Sequence, residues 1–219
     1  MVRRELTTGK IAVYLIIFFT IWSIRELIIR PMFLSHLDDL TYGVVESTIK
    51  VLVWTVPAVM LIRYYEDDLW ISLREMFTNK LKWFKTAPLL LLVFYPLAGA
   101  WLSQGSLVIN PDFNPLRLFE PVIFAGITEE LVFRGFLLNA FLIKMKTVPA
   151  VIASEVLFTL IHYPIWIYWG FDLTTILWSS IIVFFTGVFF AFSFIKTKNI
   201  WVPIVLHMTW NLFMVLFVR

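Results

Sequence analysis

Long apolar runs constrain this chain more than any other feature. A transmembrane helix needs about 20 mostly apolar residues to cross a roughly 30 Å hydrocarbon core. Seven stretches meet that length within a few residues: 11–29, 43–62, 87–103, 118–143, 148–168, 173–195 and 200–218. Short segments with period-2 alternation are absent, which argues against a membrane β-barrel. The composition agrees. Hydrophobic residues make up 60% of the 219 and charged residues 15%, too few charges to cover the surface of a water-soluble globule. Aromatic and apolar richness excludes disorder. The expected fold class is therefore an all-α membrane protein, a polytopic bundle of about seven transmembrane helices forming a single transmembrane domain over 1–219. There is no internal repeat.

Charge and cysteine content narrow the chemistry. A formal net charge of +3 with no basic block argues against nucleic-acid binding. With no cysteine, disulfides, thiol nucleophiles and zinc fingers are impossible. Arg3, Arg4 and Lys10 precede the first apolar run, but no small-residue cleavage signal follows, so that run reads as a retained helix. Twelve Lys and Arg fall in alternate connections: the N-terminal tail, 63–86, 144–147 and 196–199. Only Arg30, Arg117 and Arg219 fall on the opposite side. The asymmetry predicts a multi-pass cell-membrane protein with a cytoplasmic N-terminus. The longest basic connection carries Leu69, Leu73, Met76, Phe77, Leu81 and Phe84 at helical spacing. That pattern fits a helix lying on the inner membrane surface or an amphipathic helix packed on the bundle.

Ionisable residues inside spans are costly and are functional suspects. Glu26 with Arg30, and Glu46 with Lys50, stand four apart and read as ion pairs along one helix face; Arg25 can snorkel to the outer interface. The remaining suspects lie in the second half: Glu129, Glu130 and Arg134, then Glu155 and His162, then His207 and Asn211. At about 100° per residue, Glu130 and Arg134 share a face and form the natural ion pair. Glu129 points elsewhere, without a partner on its own helix. A carboxylate in such a place can take a proton from water, as a hydrolytic general base must. His207 and Asn211, at i and i+4, can both donate to one oxygen, the geometry of an oxyanion hole. The set can run peptide hydrolysis, with water between Glu129 and His162 and the oxyanion facing His207 and Asn211. A zinc set of Glu129, His162 and His207 is the alternative. No H-E-x-x-H spacing calls for zinc, and Asn211 is idle in that scheme, so the metal-free reading ranks first.

Three motifs follow one another on successive predicted helices: Glu129 to Arg134 as E-E-x-x-x-R, Phe158 to His162 as F-x-x-x-H, and His207 to Asn211 as H-x-x-x-N. In this order they resemble the CPBP (or Abi) family of intramembrane proteases. That family includes the type II CAAX prenyl endopeptidases and bacteriocin-immunity relatives. The likeness covers about 117–212, the motif-bearing catalytic core. It implies a glutamate-dependent endopeptidase acting on a membrane-associated protein or peptide in the lipid bilayer. Glu129 and His162 would activate water, His207 and Asn211 would hold the oxyanion, and Glu130, Arg134 and Phe158 would support them. Family members have also been labelled metalloproteases. Two rivals remain: a non-proteolytic membrane adaptor on the same fold, and a transporter using Glu and His as a proton relay. Depth poses a further requirement. At about 1.5 Å per residue, Glu129 lies roughly 15 Å and His162 roughly 9 Å from their outer ends, with His207 about 10 Å from its inner end. Tilted or broken helices are needed to bring them level, and Pro164 marks a candidate break.

Overall fold

A computed structural model describes residues 5–80, 94–111 and 113–217. Among these residues there are eight helices and no strand. They are α1 (Thr8–His36), α2 (Asp39–Tyr64), α3 (Leu73–Thr78), α4 (Tyr95–Gln104), α5 (115–144), α6 (Thr147–Tyr168), α7 (Leu173–Thr197) and α8 (Trp201–Phe217). Four of them, α1, α2, α6 and α7, are long and apolar enough to cross a membrane. α5 is as long but carries Glu129, Glu130 and Arg134 in its middle, while α8 has 17 residues. The third predicted span, 87–103, is met by α4 in its second half; its first part lies outside the described residues. The architecture is an all-α membrane bundle.

Local chemistry sets the helix ends. The hydroxyl of Thr7 accepts from the Lys10 amide, and the carboxylates of Asp38 and Asp172 accept from the first turns of α2 and α7. Each satisfies an amide that has no partner within its helix. Asp172 is outside the apolar stretch, and the Thr175 hydroxyl and amide hold its carboxyl below the usual carboxylate range. α3 starts with a Ser72–Glu75 capping box. α6 is broken at Ile161–His162. Pro164 has no N–H for the Leu160 carbonyl, so the helix stops and restarts, leaving His162 at the joint. Four stretches take wider π-helical turns: 25–29, 51–55, 119–124 and 131–138. Each contains or adjoins an ionisable residue, namely Arg25, Lys50, Glu120 and Arg134. Such turns recur at functional sites because they re-aim side chains.

The distribution of polarity inverts that of a soluble protein. Glu46, Glu130, Arg134 and Glu155 have no exposure, whereas Ile16, Leu52, Met60, Leu173 and Trp178 are more than half exposed. Exposed apolar belts suit lipid, and buried charges survive there only in pairs. The core is aromatic: Trp54 meets Phe18 and Trp22 edge-on at 4.9 and 4.8 Å, and Phe133 meets Phe158 at 5.1 Å. Where α5 crosses α8, a Cβ on Gly126 would stand 2.5 Å from Met208 Cγ. A side chain there would push α8 away from the glutamates of α5.

The basic connections gather at one end. The Leu6 amide donates to Asp68, Asn79 donates to the Lys198 carbonyl, and Ile200 N–H donates to the Met76 carbonyl. Of the two readings for the amphipathic connection, packing on the bundle is observed, since Leu69, Ile71 and Met76 are buried. Asn139 holds it there, accepting from the Ile71 amide at 2.9 Å and donating to the Ile71 carbonyl at 2.8 Å. Leu81 and Phe84 lie outside the described residues.

Candidate active site

Glu129, His162, His207 and Asn211, from α5, α6 and α8, line one cavity of about 340 Å³. They meet because α6 breaks at His162 and because His207, the seventh residue of a short helix, is already at mid-bundle. Glu130, Arg134 and Phe158 stand behind the cavity wall. Their arrangement explains how the histidine of α8 is held. Glu130 Oε1 accepts from His207 Nδ1 at 2.8 Å and from Arg134 Nη1 at 2.9 Å. Arg134 Nη2 donates in turn to Glu155 at 2.5 Å and to the Gly187 carbonyl at 3.0 Å. One buried cation thus ties α5, α6 and α7 together, and Glu130 passes that anchorage to α8.

Both imidazoles are oriented by their Nδ1 atoms. His162 Nδ1 lies 2.8 Å from the Phe158 carbonyl, which can only accept, so this nitrogen carries the proton and Nε2 keeps a lone pair in the neutral ring. His207 Nδ1–H points at a carboxylate, leaving Nε2 3.8 Å from Glu129 Oε2. Phe158 stands edge-on to both rings at 5.0 and 6.0 Å, and Phe190 stacks on His207 at 5.1 Å. The Arg134 guanidinium also lies 4.5 Å from the centre of the Phe158 ring. Asn211 donates one amide N–H to the Pro121 carbonyl at 2.7 Å, which leaves it a second N–H.

The structure adds residues that helix periodicity missed. Lys50 of α2 reaches Glu120 at 2.7 Å and Glu129 at 3.5 Å, so the expected Glu46–Lys50 pair does not form. Glu46 instead receives Arg25, which also bonds Glu26. Arg25 does not snorkel; it is 2% exposed. The Glu26–Arg30 pair does form, at 2.7 Å. A spacing of four places two side chains on one face of one helix, but the neighbouring helix decides which partner each one meets. Lys50 in a span was the available signal, and the nearness of Glu46 in sequence concealed it. Trp22 and Trp54 flank its ammonium at 5.9 and 6.0 Å, completing an aromatic seat.

Glu129 therefore faces an ammonium through one oxygen and an imidazole through the other. Among the described residues, no three His, Asp or Glu side chains stand close enough together to hold a metal ion. His207 Nε2 and Glu129 Oε2 of the zinc set stand 3.8 Å apart in the cavity, and Lys50 supplies positive charge beside Glu129.

Comparison with known proteins bears on this part of the chain. Residues 111–213 match the model of the family described as type II CAAX prenyl endopeptidase Rce1-like. Over 102 residues the chain is 32% identical to the protein described as "Putative membrane peptidase YdiL" of Bacillus subtilis (strain 168). That alignment covers 47% of this chain and 37% of that relative. No solved structure matches. The matched segment holds all three motifs and three of the helices around the cavity, so the motif-bearing core of this membrane protein is similar to the type II CAAX prenyl endopeptidase-like proteases.

Proposed function

We propose that the chain is an intramembrane endopeptidase that hydrolyses a peptide bond of a membrane-associated protein or peptide with a glutamate-activated water. The supporting observation is the convergence of Glu129, His162, His207 and Asn211, from three helices, on one cavity. The Glu129 carboxylate takes a proton from the water while His162 Nε2 accepts from the other O–H and aligns it. The hydroxide adds to the scissile carbonyl carbon. The oxygen that becomes negative is met by the free N–H of Asn211 and by His207, whose ring the Glu130 carboxylate orients through Nδ1. Collapse returns the proton from Glu129 to the leaving amine and breaks the C–N bond, so protons balance.

The decisive experiment pairs two variants. Glu129→Gln keeps size and shape but cannot accept a proton; it is expected to fold and to lose cleavage. Asn211→Ala is expected to lower turnover about 10²–10³-fold, as the loss of one oxyanion donor typically does, with substrate association retained. Normal turnover by folded Glu129→Gln protein sinks the general-base role. Activity lost on chelation and restored by zinc alone would replace the metal-free scheme.

A further inference from the structure

The catalytic cavity adjoins a second one of about 540 Å³, lined by Arg30, Ser35, Asp39, Tyr42, Tyr168 and Trp169. Arg30, Tyr42, Glu120, Pro121 and Trp169 border both spaces. The second cavity is framed by the α1–α2 and α6–α7 connections, where Ser35, Leu37 and Asp39 are exposed. The Arg30 guanidinium lies 5.6 Å from the ring centres of both Tyr42 and Tyr168, linking the two connections. This antechamber is at the end of the bundle opposite the basic connections. Towards the basic end the bundle is filled, since Ile62, Met76, Phe136, Leu137 and Leu138 have no exposure. Water and polypeptide thus have an approach towards Glu129 from the end near Arg30, whereas eight of the described Lys and Arg, from Lys10 to Lys198, fall in the connections of the closed end.

Basic connections stay on the cytoplasmic side of a membrane. From this asymmetry and the adjoining cavities we infer that the active site opens to the non-cytoplasmic face, so that its substrate is a membrane-associated polypeptide presented at the outer leaflet. The substrate half of this inference rests on the proposed protease activity; the direction of opening does not. The antechamber carries charges of both signs, from Arg30, Asp39 and Glu120, beside the rings of Tyr42, Tyr168 and Trp169. Such a lining suits a polypeptide strand with mixed side chains better than a strongly charged ligand. A cytoplasmic C-terminal tail would approach the opposite, filled end.

The chain has no cysteine, so single substitutions report position without background. Ser35→Cys marks the antechamber and Lys146→Cys the basic end. Both are treated with a membrane-impermeant maleimide, in intact cells and in inside-out vesicles. Ser35→Cys is expected to label in intact cells, and Lys146→Cys only in inverted vesicles. The reverse pattern, or labelling of both from the same side, overturns the inference. Peptidomics of membranes holding the unsubstituted or the Glu129→Gln chain tests the substrate. Products from outer-face segments support it, and products from cytoplasmic tails refute it even where labelling agrees. Cleavage by the Glu129→Gln chain removes the catalytic proposal while leaving the labelling result intact.

Discussion

Replacing Gly187 by alanine places one methyl group at the most crowded point behind the site. The added Cβ would overlap Glu155 Oε2 and stand 3.0 Å from Arg134 Nη2 and 3.1 Å from Phe158 Cδ1. None of these can retreat easily, because Arg134 and Glu155 have no exposure and the guanidinium is bonded to Glu130, Glu155 and the Gly187 carbonyl. Overpacking of this kind costs about 1–3 kcal/mol. Displacing a carboxylate from its guanidinium loses a charge-assisted bond of about 1.5–3 kcal/mol. The better helix propensity of alanine returns up to about 1 kcal/mol. The net expectation is a loss of about 3 kcal/mol, a fall of roughly 10 °C in apparent detergent melting temperature. A double-mutant cycle isolates the cause. In a Glu155→Ala background the obstructing oxygen is gone, and Gly187→Ala is expected to cost about 2 kcal/mol less than in the parent. Simple additivity of the two losses would refute the argument, as would an unchanged melting temperature for the single variant.

Lys50→Met keeps an unbranched side chain but leaves Glu120 and Glu129 without their shared cation; removing one partner of a buried pair costs about 3–5 kcal/mol. Melting temperature and cleavage should both fall, with Lys50→Met/Glu120→Gln regaining part of the stability; equal stability of the single and double variants would contradict the shared-cation arrangement. Asn139→Ala strips the buried Ile71 amide and carbonyl of their partners, each worth about 1–3 kcal/mol when left unmade. Limited proteolysis should then cut the 65–80 connection, while the candidate active site, on the other side of the core, keeps its geometry; resistance equal to the parent chain would argue against the tether.

Much of this protein follows from one-dimensional regularities. The apolar runs are long enough for membrane helices, and the absence of strand periodicity leaves only helices to use them. A spacing of four predicts the Glu130–Arg134 and Glu26–Arg30 pairs, both of which form. It also puts His207 and Asn211 on one face, and both line the cavity. Pro164 announces the break that leaves His162 at a joint. These features are legible because they depend on backbone geometry within one helix, which short stretches of residues dictate.

Partner choice between helices is another matter. Lys50 passes over Glu46 for Glu120 and Glu129, Arg25 turns inward to Glu46, and Arg134 collects Glu155 and the Gly187 carbonyl as well as Glu130. Each choice depends on where two helices cross and on the wider π turns that rotate the residues after them, neither of which is encoded by spacing along a single helix. In a low-dielectric interior every buried charge must find compensation, so the crossing geometry selects the network. The sequence therefore determined the helices, their charge asymmetry and the identity of the chemical groups. The tertiary structure decided which groups face Glu129, because only the packed helices bring the motif-free first half of the chain, through Lys50, into contact with the motif-bearing second half.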